Sequence, residues 1–136
     1  MTDSNNAIPS WTFRTYASRS GRCEVEEWYD SLTPKAQAKV LVRLEYLAQQ
    51  PRSGWQRPHF APLHGECSGL YEVRCKVEKV EVRLIGNFGP NRQDFTLLLV
   101  AEERGGKFRP PSSCSTAQDR WKELKIEPER AHEWKP

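Results

Sequence analysis

The chain has 136 residues, of which 37% are hydrophobic and 29% are charged, and its formal net charge is +3. This length suits one domain with an ordinary hydrophobic core. No apolar run approaches the roughly 20 residues that a transmembrane helix needs, and the first residues lack the basic and apolar regions of a secretory signal peptide. We therefore expect a cytoplasmic protein rather than a membrane or secreted one.

The first half of the chain has an uneven distribution of charge. Residues 23–30 carry four acidic residues and no basic one, whereas residues 35–63 carry five basic residues and one acidic one. This asymmetry permits a basic face that binds RNA, DNA or an acidic protein partner. An ordinary solvated surface accounts for it equally well.

The cysteines do not follow a pattern that indicates a metal site. They show neither a CxxC pair nor regular spacing, and with the three histidines they do not make a zinc motif. We expect reduced thiols, as in a reducing compartment, and no metal or other cofactor. The four residues are Cys23, Cys67, Cys75 and Cys114.

A strand and a helical hairpin are predicted after a polar N-terminus. Residues 1–10 are expected to be flexible, and residues 11–17 alternate aromatic with polar side chains, as in a half-buried strand. A short amphipathic helix follows, and Thr33 with Pro34 has the sequence of a second helix start. The first helix is indicated by Val25, Trp28, Tyr29 and Leu32. The second carries a basic stripe of Lys35, Lys39 and Arg43.

Two strands joined by a tight turn are predicted in residues 69–86. With Glu78 and Lys79 as the turn, the alternating apolar side chains of the two strands face each other throughout. The same register places Arg74 opposite Arg83 on the polar face. Like charges directly opposite each other destabilise a sheet, and paired guanidinium groups bind phosphate well. The register therefore predicts an anion site.

Two alternatives to this anion site are open. Glu72 or Glu81 could neutralise the arginine pair, since each lies two residues from one of the arginines on the same face. The turn could also differ, because Glu-Lys is a poor sequence for a two-residue hairpin.

The remaining segments predict a central strand and a last helix. Residues 95–101 are the most apolar segment, typical of a strand buried on both faces, and residues 102–111 are expected to form a mobile charged loop. Thr116-x-x-Asp119 resembles a capping box and predicts a helix start. Residues 126–136 are expected to be a polar tail or a short helix.

The element order β-α-α-β-β-β-α predicts one α+β domain over residues 11–125. We expect a twisted, mainly antiparallel sheet, with the helical hairpin packed on one face and a C-terminal helix.

Several segments, taken together, are similar to a known family. They are residues 32–38, Trp55-x-x-Pro58, residues 63–74 with the sequence Leu-Tyr-Glu-Val-Arg, residues 82–85 and residues 95–99. In this order they resemble the RelE/ParE/HigB superfamily of toxins from type II toxin–antitoxin systems. The similarity is greatest to the HigB-like, phage-related subgroup and covers residues 11–121.

The resemblance implies a RelE-like fold and a toxin that cleaves mRNA in the ribosomal A site without a metal ion. It also implies a cognate antitoxin that binds and silences the toxin. Family active-site arginines correspond to Arg74 and Arg83, and His64 is the best candidate for an acid–base group because its segment leads toward the sheet. The implied RNA contacts are Lys76, Arg104, Lys107 and Arg109.

The chain also departs from the family in charge. RelE has lysines where this chain has Leu70 and Glu72, and HigB-like members carry a Lys-Lys pair where it has Glu102 and Glu103. The alternative function is therefore a non-catalytic binding module of the same fold. Such a module would be a repurposed toxin or, as in the ParE branch, a poison of DNA gyrase.

Overall fold

The computed structural model describes residues 10–136, which contain three helices and seven strands. The predicted flexible N-terminus, except Ser10, lies outside these residues. The strands are β1 (Thr12–Tyr16), β2 (Phe60–Pro62), β3 (Tyr71–Val77), β4 (Val80–Phe88), β5 (Asp94–Arg104), β6 (Lys107–Arg109) and β7 (Ala131–Glu133). The helices are α1 (Glu24–Asp30), α2 (Pro34–Ala48) and α3 (Ser113–Ile126).

The strands form one sheet in the order β2-β3-β4-β5-β1-β7, and β6 pairs with the far end of β5. All neighbouring strands are antiparallel except β1, which runs parallel to β5. The predicted α+β class with a mainly antiparallel sheet is therefore confirmed.

Helices α1 and α2 pack as a hairpin on one face of this sheet, as predicted. The hydroxyl of Thr33 accepts a hydrogen bond from the Ala36 amide, and Pro34 occupies the first helical position. Burying one aliphatic side chain of such a core contributes about 1.5–3 kcal/mol. The core on this face includes Val25, Val40, Leu44, Leu47, Val73, Leu84 and Phe95.

Helix α3 packs on the opposite face, over a smaller core that includes Ile85, Leu99, Ala117 and Leu124. The predicted capping box is wrong, because the helix begins at Ser113 and Thr116 lies within its first turn. None of the three helices in residues 10–136 combines the length and apolarity that a bilayer-spanning segment requires.

The expected mobile loop at residues 102–111 is an ordered hairpin instead. Strand β5 continues to Arg104, and β6 returns along it with Glu103 opposite Phe108. Gly105 and Gly106 form the turn with φ of 59° and 81°, a conformation that glycine adopts without steric cost. These two glycines therefore make a tight hairpin turn rather than a hinge.

The last residues also differ from the expected tail or helix. After a short 3₁₀ helix at residues 128–130, β7 pairs with β1. Arg130 is 8% exposed and donates hydrogen bonds to the Tyr16 hydroxyl and to the Ala17 carbonyl. The segment is thus attached through a buried guanidinium, and the folded region extends beyond residue 125.

Cys67 and Cys114 form a disulfide, which corrects the expectation of four reduced thiols. Cys67 ends the 3₁₀ helix at residues 65–67, and Cys114 lies in the first turn of α3. The two residues are 47 positions apart and meet only because α3 packs on this side of the sheet. Cys23 and Cys75 are free.

Replacing both Cys67 and Cys114 by serine lowers the free energy of unfolding by about 4 kcal/mol, since a cross-link across a loop of this length reduces the entropy of the unfolded chain. Urea unfolding of the oxidised protein measures the change, and Cys23→Ser is the matched control. An unchanged midpoint in the double variant contradicts a structural role for the bond.

Candidate functional site

The β3–β4 hairpin has the predicted register. Glu78 and Lys79 form its turn with φ of 50° and 70°, and Arg74 lies directly opposite Arg83. Positive φ at both central residues is typical of the tight hairpin turn that matches strand twist. The seven residue pairs of β3 and β4 hold the turn in this conformation, although Glu-Lys is an unfavourable sequence for it.

Both arginines line a cavity of about 400 Å³ on the sheet face opposite the helical hairpin. His64 lines the same cavity from the segment that precedes β3. The structure therefore brings three predicted site residues together. The other walls come from Arg57, Pro62, Leu63 and Glu72, and from Glu103, Gly106 and Phe108 of the β5–β6 hairpin.

Glu72 lies between the two arginines. Its Oε2 accepts a hydrogen bond from Arg74 Nε at 2.8 Å, and its Oε1 is 3.6 Å from Arg83 Nε. The side chain is 6% exposed, and it shares the face of Arg74 because residues two apart in a strand point the same way. Of the alternatives that the sequence leaves open, neutralisation by Glu72 is thus present in the structure.

Arg83 has two further carboxylate neighbours. Its Nη1 is 3.3 Å from Glu81 Oε1 and its Nη2 is 3.2 Å from Glu103 Oε1, and its side chain is 7% exposed. A buried charge requires such partners, since an unpaired one costs several kcal/mol. Arg83 is therefore held in place, whereas Arg74, 30% exposed, is the guanidinium that a ligand can reach.

The cavity keeps a positive balance despite these carboxylates. Three arginines and two glutamates line it, which leaves a formal charge of +1 when His64 is neutral. Arg57 and His64 are exposed at its rim. The arrangement thus combines cationic groups for an anion with a carboxylate and an imidazole that can transfer protons.

Three of the predicted RNA contacts lie on the opposite face of the sheet. Successive side chains of β5 point to opposite faces of the sheet. Because Glu103 lies beside Arg83, the residues on either side of Glu103 point away from the cavity. The β6 residues that pair with these two neighbours lie on that same opposite face. The three residues are Arg104, Lys107 and Arg109.

Arg109 instead lines a separate cavity of about 620 Å³ against α1, and Arg104 pairs with Glu102 at 2.8 Å between Nη2 and Oε1. Lys76 is exposed on the same face as Arg74, two residues along β3, with its Nζ 3.8 Å from Glu81. Of the predicted RNA contacts, only Lys76 is thus next to the arginine pair.

Sequence reasoning missed Glu103, Phe108 and Arg57 as cavity residues. Extending the alternation of β5 past residue 101 would have placed Glu103 on the face of Arg83. The position of Phe108 could be inferred only from strand β6. That strand was not predicted, because Gly105 and Gly106 indicated a mobile loop. Arg57 lies in an irregular segment whose sequence carries no periodic signal.

The other histidines and the buried thiol lie outside the cavity. His59 packs against Tyr46 with ring centroids 5.2 Å apart, and burial, together with nearby Arg43, lowers the pKa of its imidazole. His132 lies on β7, and its ring is next to the Cys23 thiol. Cys75 is 4% exposed, and burial raises the pKa of its thiol to about 11.

Within residues 10–136, no three His, Cys, Asp or Glu side chains converge as a possible metal-binding group. The absence of a metal or cofactor from the reaction stays a prediction. Comparisons of the chain with protein-family models, with curated proteins and with solved structures found no match. The inference of function therefore rests on the chemistry of the cavity and on the resemblance of the sequence segments.

Proposed function

We propose that the protein is an endoribonuclease that cleaves mRNA without a metal ion and acts as the toxin of a type II toxin–antitoxin system. The observation that supports this most is the cavity shared by Glu72, Arg74, Arg83 and His64. We also propose that the fold is RelE-like, since a helical hairpin covers one face of a mainly antiparallel sheet.

The proposed reaction uses the 2′-hydroxyl of the RNA as nucleophile. Its oxygen attacks the phosphorus while the bond to the 5′ oxygen breaks, which leaves a 2′,3′-cyclic phosphate and a 5′-hydroxyl. Glu72 accepts the proton of the 2′-hydroxyl, and His64 donates a proton to the leaving 5′ oxygen. Arg74 and Arg83 stabilise the additional negative charge on the phosphorus centre.

We place this reaction in the cytoplasm, on mRNA in the ribosomal A site, with a cognate antitoxin that silences the protein. Lys76, exposed beside Arg74, is the contact for a neighbouring phosphate. Arg104, Lys107 and Arg109 would reach RNA only if it continued around the β5–β6 hairpin to the other face.

Induced expression followed by primer extension on cellular mRNA tests the proposal. We expect growth arrest and discrete cuts within codons. With purified protein and end-labelled RNA, tested with and without ribosomes, we expect 2′,3′-cyclic phosphate ends in the presence of EDTA. Intact mRNA, or cleavage that EDTA abolishes, contradicts the proposed reaction.

A non-catalytic binding module is the second candidate, because Glu72, Glu81 and Glu103 already pair with the arginines without any ligand. In that case the ion pairs hold the hairpin together and the protein acts by binding a partner such as gyrase. Intact mRNA together with gyrase-dependent DNA breaks after induction would support this candidate.

A further inference from the structure

A second concave surface lies between α2 and the outer edge of β3. We call it the α2–β3 groove and define it by Lys35, Lys39, Val42, Arg43, Cys75 and Lys76, which line about 520 Å³. None of these residues lines the cavity of Arg74 and Arg83. The groove is therefore a separate candidate site.

The groove is positively charged, and only Lys76 among its four cations has a carboxylate partner within the described residues, Glu81. Lys35, Lys39 and Arg43 lie four residues apart along α2, and no carboxylate lines the groove with them. None of the three forms an ion pair with a carboxylate in the part of the chain that the structure describes. An uncompensated row of cations favours an anionic ligand.

Apolar surface lies among these cations. Val42 is 64% exposed on α2, and Ala38 and Cys75 line the groove beside it. No aromatic side chain lines the groove, so it offers no platform on which nucleobases could stack. The groove therefore suits an acidic polypeptide, whose side-chain methylene groups can contact Val42, better than it suits RNA.

The edge of β3 adds backbone groups to this surface. Strand β2 pairs with β3 only as far as Val73. The backbone groups of Arg74 also have partners, because its amide donates a hydrogen bond to the His59 carbonyl and its carbonyl accepts one from Arg43. Beyond Arg74, no strand of the described residues pairs with this edge. Because Val77 and Val80 flank the two-residue turn, the alternation directs the N–H and C=O of Lys76 outward.

The spacing of the two elements is complementary to an extended chain. Residues four apart in a helix are separated by about 6 Å along its axis, and residues two apart in a strand by about 6.6–6.8 Å. A strand with an acidic residue at every second position therefore presents carboxylates at nearly the spacing of Lys35, Lys39 and Arg43.

We propose that the α2–β3 groove binds an extended acidic segment of a partner protein. The segment adds to the edge of β3 by hydrogen bonds to the backbone of Lys76, as strands add to exposed sheet edges. Its carboxylates lie along Lys35, Lys39 and Arg43, on the side of the sheet that carries α2, and the methylene groups of these acidic side chains contact Val42. This interaction does not depend on nuclease activity and holds equally for a non-catalytic module.

Fluorescence anisotropy with a labelled peptide of four Glu-Val repeats tests the proposal. We expect saturable binding to the full chain, and a Kd at least 10-fold higher for the Lys35→Glu/Lys39→Glu variant, because two attractions become repulsions. The matched control is Lys122→Glu/Lys125→Glu, which makes the same charge change on α3 and should bind as the unmodified protein does. No binding at 1 mM peptide, or equal losses in both variants, overturns the proposal.

Two further measurements separate strand addition from simple charge attraction. We expect amide exchange at Lys76 to slow at least 10-fold on peptide binding, and an N-methylated Glu-Val peptide to lose binding. If amide exchange at Lys76 does not slow when the peptide binds, the proposed addition of a strand to the edge of β3 is wrong. An octauridylate that binds as tightly, with the same loss in the Lys35→Glu/Lys39→Glu variant, shows a nucleic-acid site instead.

Discussion

Replacing Arg74 by alanine lowers the rate of RNA cleavage by a factor on the order of 10²–10³, the loss typical of removing one preorganised donor from a developing oxyanion. Arg74 is the suitable position because it is 30% exposed and has one carboxylate partner, Glu72. Its removal should therefore leave the fold intact. Single-turnover cleavage of end-labelled RNA measures the effect, and thermal unfolding checks the fold.

Arg83 needs a more conservative change. Arg83→Ala should also relieve growth arrest, but it leaves Glu72, Glu81 and Glu103 around a vacated buried site, and breaking a buried ion pair in this way costs about 3–5 kcal/mol. Arg83→Lys keeps the charge and removes the planar fork that binds phosphate through two donors.

The matched control for both arginines is Arg92→Ala, because Arg92 is exposed and lines neither the arginine cavity nor the α2–β3 groove. It should cleave RNA and arrest growth as the unmodified protein does. Unchanged cleavage and toxicity in folded Arg74→Ala and Arg83→Lys would exclude these arginines from the reaction.

Replacing Glu72 by glutamine distinguishes two possible roles of this carboxylate in the proposed reaction, because they predict opposite effects on the rate of cleavage. If Glu72 accepts the proton of the 2′-hydroxyl, cleavage falls by a factor on the order of 10²–10⁴, while RNA binding does not weaken, since the cavity loses a negative charge. If Glu72 only neutralises the arginines, RNA binds more tightly and cleavage does not fall. The amide oxygen can still accept the hydrogen bond that Arg74 now donates to Glu72.

The measurement is the rate at saturating protein together with the Kd for RNA in the same buffer. Glu81→Gln is the control, because Glu81 also pairs with Arg83 but does not line the cavity. A rate loss of equal size in Glu81→Gln would indicate that both substitutions act by displacing Arg83. The role of Glu72 as a proton acceptor would then be wrong.

The register of the β3–β4 hairpin was predictable because its information is local. Apolar residues alternate on both strands, and a shift of one residue would turn every one of them toward the opposite face. That constraint placed Arg74 opposite Arg83 before any tertiary contact was considered. The start of α2 was predictable for the same reason, since Thr33 and Pro34 act on the adjacent helical turn.

The β5–β6 hairpin was not predictable in the same way. The last three residues of β5 are charged, as are two of the three residues of β6, so this part of the sheet lacks the apolar alternation that indicates a strand. Glu103 and Phe108 were therefore not expected to line the cavity. Arg104, Lys107 and Arg109 lie on the opposite face of the sheet, and their contact with RNA stays a prediction.

Contacts between segments that are far apart in sequence were not predictable either. The Cys67–Cys114 disulfide, the parallel pairing of β1 with β5 and the pairing of β7 with β1 join segments that are far apart in sequence. No residue pattern within either partner specifies such a contact, because its free energy comes from packing that exists only in the folded chain.

The sequence by itself determined the α+β class, the helical hairpin and the facing arginines, since periodicity and capping act over a few neighbouring residues. Only the tertiary structure decided what surrounds those arginines. It placed the carboxylate of Glu72 between them, added Glu103 from β5 and His64 from the segment before β3, and left Arg74 open to the cavity. Side chains from separate segments converge there because packing the sheet brings them together.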